Sequence, residues 1–375
     1  MALRADGTLT GSMSSEGRVS GYLFKLLRES LSRTQAQFAE ELGVGIATVQ
    51  GWESGRRPLM AMPAGNFVAL RARLRRLGAP AGALDALGLA LEADLFIGEA
   101  LATPHHLADP GSHLLGSWVI TRPFTEMVAW PISGKAPGSL AGLAQTSARR
   151  GPVAAGPALG ADERRHVLTH MQTVAERADR RAPSGLLLAR QSYYLLGFDR
   201  SPDTARWLAD MYRQDRRLVP PTKGWSEVWP LARSTASALT RLGDPEPMRR
   251  FIADQLSDEG GEIANLNYWA FWTGDFTEDQ TGDAFIGSTS LTAWHGGRLM
   301  RHLLDRLRGN LGFLELNVHT LWSLVRVCPE MIRDPAMGGE LNGKIGQLLD
   351  ENLVSAQTRR ELDALRYGVA MAARQ

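Results

Sequence analysis

The 375-residue chain contains one cysteine, Cys328, so it can form neither an internal disulfide framework nor a multi-cysteine zinc site, a usage that fits a reducing cytoplasm. It has no uninterrupted apolar stretch of about 18 residues, and no segment is expected to span a membrane. Residues 1–20 (MALRADGTLTGSMSSEGRVS) are polar and rich in glycine and serine, so no secretory leader is expected there. A nucleophile elbow, a Walker loop and a Rossmann glycine fingerprint are all missing. These absences argue against an enzyme; no catalytic residue, metal or cofactor is expected.

What is present is enough apolar sequence, 44% of residues, for two or three domains with cores of their own. The formal net charge is only +2, but it is unevenly spread. Between Ser20 and Gly78 nine Lys/Arg face four Asp/Glu, about +5, whereas residues 79–375 carry 31 against 34, about −3. The first 80 residues are therefore the candidate polyanion-binding part.

Within that basic part, RTQAQFAEELGVGIATVQGWESGRR (residues 33–57) has the pattern of two short helices around a glycine turn. Thr34 and Gln37 make a capping box, which starts a helix over Gln35–Leu42 with Phe38, Ala39 and Leu42 inward. Gly43 supplies the left-handed residue that ends it, and Val44 plugs the turn. A second helix begins near Gly45 or Ile46; Val49 and Trp52 point inward, leaving Ile46, Ala47, Gln50 and Gly51 outward. Flanking amphipathic helices are expected over residues 21–31, through Leu23, Leu26, Leu27 and Leu31, and over 66–78, through Phe67, Leu70, Leu74 and Leu77.

These features together, Gln35, Phe38-Ala39, Leu42-Gly43-Val44, Val49 and Trp52-Glu53-x-Gly55, resemble the helix-turn-helix domain of the XRE family, to which the lambdoid phage repressors belong. The resemblance covers residues 20–78. It implies a structural ion pair between Arg28 and Glu53, contacts from Thr34 and Gln35 to the DNA backbone or an adjacent base, and a phosphate contact from Arg56. It also implies that Ile46, Ala47, Gln50 and Gly51, with Thr48 beside them, face the major groove. Bidentate base reading needs Arg, Asn or Gln, and here only Gln50 and Gln35 qualify. Direct readout is thus expected to be sparse: Ile46 and Ala47 touch thymine methyl groups, and Gly51 lets the backbone come close to the groove. Arg33, Arg56, Arg57 and the arginines over 71–76 are the phosphate donors, although that last group is equally readable as a solvated helix face. Two such modules one helical turn apart on a near-palindrome would bind double-stranded DNA far better than one, so a homodimer is expected.

Residues 79–160 read as a connection: an apolar helical region over 80–102, interrupted by Gly88 and Gly98, then a proline- and glycine-rich stretch whose last part, 133–161, has linker composition. Between them, HLLGSWVITRPFTEMVAWPI (113–132) is either a short extended segment or a helix begun at Pro123. Residues 161–375 carry successive amphipathic helical patterns without a fixed repeat, as in an irregular bundle or a solenoid. The expected class is all-α: a disordered arm over 1–19, the DNA-binding domain over 20–78, the connection, and a helical dimerisation or effector domain over 161–375. Beyond the helix-turn-helix part, the chain is similar only in general build to long actinobacterial regulators.

Two groups in the carboxy-terminal part could hold a metal by spacing alone. His166 and His170 lie four apart, but the paired-histidine zinc motif needs a glutamate directly after the first histidine, so a solvated helix face is expected. DFTEDQTGDAFI (275–286) alternates oxygen-bearing residues but lacks the central glycine and the closing glutamate of a calcium loop, and reads as an acidic surface loop. Cys328 is expected to be a small buried residue. Nine of the ten tryptophans follow residue 100. Tyr193, Tyr194, Trp225, Trp229, Asn265, Asn267, Tyr268, Trp269 and Trp272 form either an aromatic helical core or a pocket for a small-molecule effector or a protein partner. The function expected is that of a cytoplasmic, nucleoid-associated DNA-binding transcriptional regulator. An antitoxin-like repressor that captures a partner protein and, further off, an enzyme fused to a DNA-binding domain are the competing readings.

Overall fold

The computed structural model describes residues 17–104, 108–146, 156–218, 224–275, 278–288, 295–308, 312–351 and 354–374. Among these residues are seventeen α-helices joined by turns and short 3-10 segments, with no strand, so the all-α class is what the molecule has. The chain divides into two compact units, one made of Met1–Leu114 with Arg122–Arg177, the other of Leu115–Thr121 with Ala178–Gln375. Residues 1–16 of the expected arm lie outside the described residues, while Arg18 and Val19 already belong to the first helix.

The first unit contains α1 (Arg18–Ser30), α2 (Gln35–Leu42), α3 (Ile46–Glu53), α4 (Ala64–Arg76), α5 (Ala81–Ala102), α6 (Arg122–Ser133), α7 (Ala141–Thr146) and α8 (Ala161–Arg177). Helix α1 is buried on most of its circumference, with Val19, Tyr22, Leu23, Phe24, Leu26 and Leu27 all inside. It packs against α3 on one side and against α5, α6 and α7 on the other, which explains why its apolar residues outnumber a single stripe. Helix α5 runs unbroken through Gly88 and Gly98, correcting the expected interruption. A helical glycine costs about 1 kcal/mol, and the burial of Leu84, Leu87, Phe96 and Ile97 outweighs two of them.

One polar side chain sits inside this apolar layer. Asp94 of α5 is 1% exposed and accepts hydrogen bonds from the backbone N–H groups of Val19 at 2.8 Å and Ser20 at 2.9 Å. It thereby satisfies orphan donors at the start of α1, a capping duty met from a different helix. Burial raises its carboxyl from 3.8 to about 6, even though hydrogen bonds from Ser20, Val19 and Arg18 pull the other way. Arg18, at the same end, pairs with Glu163 of α8 at 2.5 Å. The amino terminus of α1 is thus held from α5 and α8 together.

Of the two readings left open for residues 113–132, the helix holds: α6 starts at Arg122, with Pro123 in its first turn, where a missing N–H is harmless. Residues 115–121 just before it belong to the second unit, where Val119 donates its N–H to the Gln280 carbonyl at 2.7 Å. Within the stretch of linker composition, α7 and the buried Leu159 belong to the first unit, and 147–155 lie outside the described residues. Helix α8 corrects the solvated-face reading: His170 is buried, with its ring 5.3 Å from that of the buried His113. Burial first, and the neighbouring His170 second, lower His113 to about 4.

The second unit contains α9 (Pro183–Leu196), α10 (Pro202–Asp215), α11 (Trp229–Arg241), α12 (Glu246–Gln255), α13 (Glu259–Thr273), α14 (Gly297–Asp305), α15 (Leu314–Val327), α16 (Pro335–Glu351) and α17 (Ala356–Ala372). Its packing is not confined to neighbours in sequence: α9 lies on α11, α12 and α13 on α15, α14 on α16, and α15 on α17. That is an irregular bundle rather than a solenoid. Cys328 is half-buried, at the carboxy-terminal end of α15, rather than inside the core.

Candidate nucleic-acid interface

Helix α2 begins where its capping box dictates: the Thr34 hydroxyl accepts from the Gln37 N–H at 3.2 Å, and the Gln37 side chain accepts from the Thr34 N–H at 3.0 Å. It ends at Gly43, whose φ of 64° places it in the left-handed region. Val44 N–H returns to the Ala39 carbonyl at 2.9 Å and Gly43 N–H to that of Glu40 at 3.0 Å, closing the turn. The Arg73 guanidinium of α4 donates to the Leu42 carbonyl at the end of α2, at 3.0 Å. This arginine is therefore occupied with ending α2, and α4 is tied to the turn.

Helix α3 is seated from the inside by Val49, which is fully buried, and by Trp52, whose ring meets Phe24 of α1 edge-on at 5.6 Å. The helices cross so closely that a Cβ on Gly21 of α1 would stand 2.3 Å from the Trp52 carbonyl oxygen. The outward side carries Ile46, 46% exposed, with Ala47 and Gln50 also exposed and Thr48 half-exposed. Gly51 is a correction. It is buried, because the aliphatic stem of Arg57 lies over it, 3.1 Å from where a Cβ would be. Its lack of a side chain makes room for Arg57 and not for a close approach by a ligand.

A polar relay links this surface to the interior. The Arg28 guanidinium of α1 donates to Glu53 at 2.5 and 3.2 Å and to the Arg33 carbonyl at 2.7 Å. The second oxygen of Glu53 accepts from the Gln35 amide at 2.7 Å, and the Gln35 oxygen accepts from the exposed Gln50 amide at 3.3 Å. Charge thus fixes the carboxylate, the carboxylate orients Gln35, and Gln35 holds one N–H of the Gln50 amide. Of the four members, Gln50 is the exposed one.

The expected phosphate donors fall into two groups. Arg33 is paired with Glu41 at 2.7 Å, and Arg71 with Asp85 at 3.2 Å. Arg56 and Arg57 are exposed, and among the described residues their guanidinium groups hydrogen-bond only to the hydroxyls of Ser54 at 3.2 Å and Thr48 at 3.4 Å. Arg75 and Arg76 are also exposed. The cations left free to meet a polyanion are those just after α3 and at the end of α4.

Of the nine aromatic and asparagine residues singled out in the second unit, Trp225, Trp229, Tyr268, Trp269 and Trp272 belong to or pack against one hydrophobic core, the first of the two readings. Tyr193 is buried and points to Asp215 and Arg180, donating to the former and accepting from the latter, each at 2.8 Å. Trp225 and Trp229 pack 6.1 Å apart, and Trp229 lies against Phe251 and Tyr268. Asn267 is spent on the carbonyls of Ile286 at 3.1 Å and Ser288 at 2.7 Å. Tyr194, Trp272 and Tyr268 do line up, with successive ring separations of 5.1 and 6.2 Å. Two buried arginines that sequence reasoning passed over lie with them. Arg233 covers the Tyr268 ring at 3.8 Å, and Arg190 is ion-paired to Asp283, which removes that carboxylate from the supposed acidic surface loop. Residues 276–277 of that loop lie outside the described residues. Among the described residues no group of three or more His, Cys, Asp or Glu is placed to hold a metal, and no helix is long and apolar enough to cross a membrane.

Compared with known families, residues 24–61 match the one described as Helix-turn-helix. This is the segment for which the XRE-family resemblance was drawn, and it supports a DNA-binding transcription regulator. No curated protein and no solved structure matches the chain.

Proposed function

We propose that the protein is a sequence-specific DNA-binding regulator that presents α3 to the major groove and binds a near-palindromic operator as a homodimer. The observation that carries this reading is the relay Arg28–Glu53–Gln35–Gln50, which spends a buried charge pair on orienting one exposed amide of the recognition helix. An orienting network of this sort is wasted on a helix that merely packs, and it suits bidentate contact with adenine. Ile46 and Ala47 supply methyl contacts to thymine beside it; Thr48 and Thr34 flank them; Arg56, Arg57, Arg75 and Arg76 meet phosphates. Arg33 contributes to the field while remaining paired to Glu41. Readout is sparse, so affinity leans on backbone charge and on pairing of two half-sites. The second unit, with no catalytic role, serves dimerisation and the sensing of a ligand or partner.

The test is binding of the full chain to DNA from upstream of its own coding sequence, followed by mobility shift or fluorescence anisotropy over a series of salt concentrations. A discrete complex is expected, with log affinity falling linearly against log salt and a clear preference over scrambled DNA. Binding that ignores salt, or that does not distinguish the scrambled sequence, would overturn the reading.

A further inference from the structure

Among the described residues of the second unit, buried cations are matched by carboxylates, with one exception. Arg190 pairs with Asp283 and Arg180 with Asp215. Arg233 of α11, 3% exposed, has no carboxylate in ion-pair contact among the described residues. Its side-chain hydrogen bonds go to neutral groups: a long one from Nε to the Asn265 oxygen at 3.4 Å, and one to Tyr268. The ionisable groups around it are the phenols of Tyr268 and Tyr194 and a second guanidinium, Arg190, so its nearest full charge repels it. The ring faces of Tyr268 at 3.8 Å and Trp269 at 5.1 Å hold the cation in place but carry no counter-charge. Buried charges are ordinarily paired and hydrogen-bonded, and this one is neither in full.

A second observation points the same way. Asn265 passes from Arg233 to Thr320 of α15, to which it donates at 2.9 Å. One turn from Thr320 on the same helix, Asn317 is 1% exposed, and neither its amide nitrogen nor its oxygen has a partner within the protein; the same is true of the Ser323 hydroxyl one turn on. Interiors seldom leave such groups unmatched. On the other side, the rings of Tyr268, Trp272 and Tyr194 lead from buried Arg233 to half-exposed positions. There Arg241, eight residues along α11, stacks on Tyr194 at 4.6 Å and on Phe198 at 4.0 Å.

We propose that Arg233 anchors a binding site for a small organic oxyanion, a carboxylate or phosphate attached to a flat apolar body, with the body held by Tyr194, Tyr268 and Trp272. The guanidinium fork matches either oxyanion, and the ligand supplies the counter-charge that the fold withholds. Arg190 is already neutralised by Asp283, which leaves Arg233, among the described residues, as the buried cation there without a carboxylate partner. The site rests on reading the second unit as the sensing part of the regulator, and it deepens that reading by naming the ligand class.

The experiment titrates the full-length protein, without DNA, with sodium benzoate, phenyl phosphate and inorganic phosphate at constant ionic strength, following tryptophan fluorescence and the thermal midpoint. Saturable binding of benzoate or phenyl phosphate is expected, at concentrations about tenfold or more below those needed for inorganic phosphate. Whichever of the two saturates first assigns the oxyanion. In Arg233→Met the response should weaken about tenfold or more, while Arg233→Lys, which keeps the charge and loses the fork, falls between. If none of the three probes gives saturable binding to the wild-type protein up to about 10 mM, or if Arg233→Met binds as the wild type does, the proposal is overturned. The wild-type titration decides this even if a variant fails to fold. Operator binding is measured separately on the same preparation, so loss of the DNA reading and loss of the anion site give different results.

Discussion

Asp94 makes a prediction whose sign is opposite to that of most paired carboxylates. In the folded chain it titrates near 6 because burial disfavours its charge; unfolded, it should titrate near 3.8. Below 3.8 both states carry the proton, and between the two values the unfolded chain releases it first. Stability contributed at this position is therefore present at low pH and lost as pH rises to about 6, beyond which the effect is flat. The gap corresponds to about 3 kcal/mol over the full interval, as an order of magnitude. Asp94→Asn removes the titration and keeps the size and one acceptor for the Val19 and Ser20 N–H groups. Urea unfolding of both proteins, followed by circular dichroism from acid to neutral pH, should show the wild-type stability falling relative to the variant as pH rises. A difference that stays constant across this range, or grows with pH in favour of the wild type, would refute the account of Asp94 as a carboxylate whose burial outweighs its hydrogen bonds.

Other perturbations test the remaining links. Glu53→Gln removes the closer of two carboxylates from the Arg28 guanidinium, whose side chain is 11% exposed, leaving only Glu29 at 3.6 Å, and should destabilise the first unit by up to about 3 kcal/mol in chemical denaturation; a loss well below 1 kcal/mol would show that the pair is not a strut. Gly21→Ala drives a Cβ into the Trp52 carbonyl, so α1 and α3 must part and operator binding should drop while helical content persists; Gly65→Ala, with nothing within 4 Å, should be neutral or slightly stabilising. Gln50→Ala should relax discrimination between operator and non-operator DNA, whereas Arg56→Ala should weaken all DNA about equally and reduce the salt slope by about 1. Equal behaviour of the last two variants would remove the basis for assigning α3 to the groove.

Much of the DNA-reading part was legible because its signals are local. A capping box, a turn glycine and the spacing of Val49 and Trp52 act within a few residues of themselves, and the span of α2 from Gln35 to Leu42 and the start of α3 at Ile46 follow from them. Gly51 shows where local reasoning stops. Its place on the helical wheel suggested an open surface, but Arg57, six residues on, folds back over it, and no periodicity encodes that return. His170 and Asp283 were likewise read as solvated from their polar neighbours, and each is enclosed by groups distant in sequence, His113 in one case and Arg190 in the other. The faint signal available was a charged or polar residue within an apolar run, as at Asp94 in ALEADLFIG or Arg190 in LLLARQSYY.

The sequence by itself therefore determined the helical class, the basic character of residues 20–78 and the two-helix reading head, since short-range hydrogen bonding, charge and periodicity suffice for these. Only the tertiary structure decided which polar groups are shut away and what faces them. It brought Asp94 to the start of α1, turned Gln50 towards Gln35, and left Arg233 among rings with no carboxylate in contact among the described residues. The reason is that desolvation depends on what the rest of the chain brings near a group, and that neighbourhood exists only once distant helices have packed.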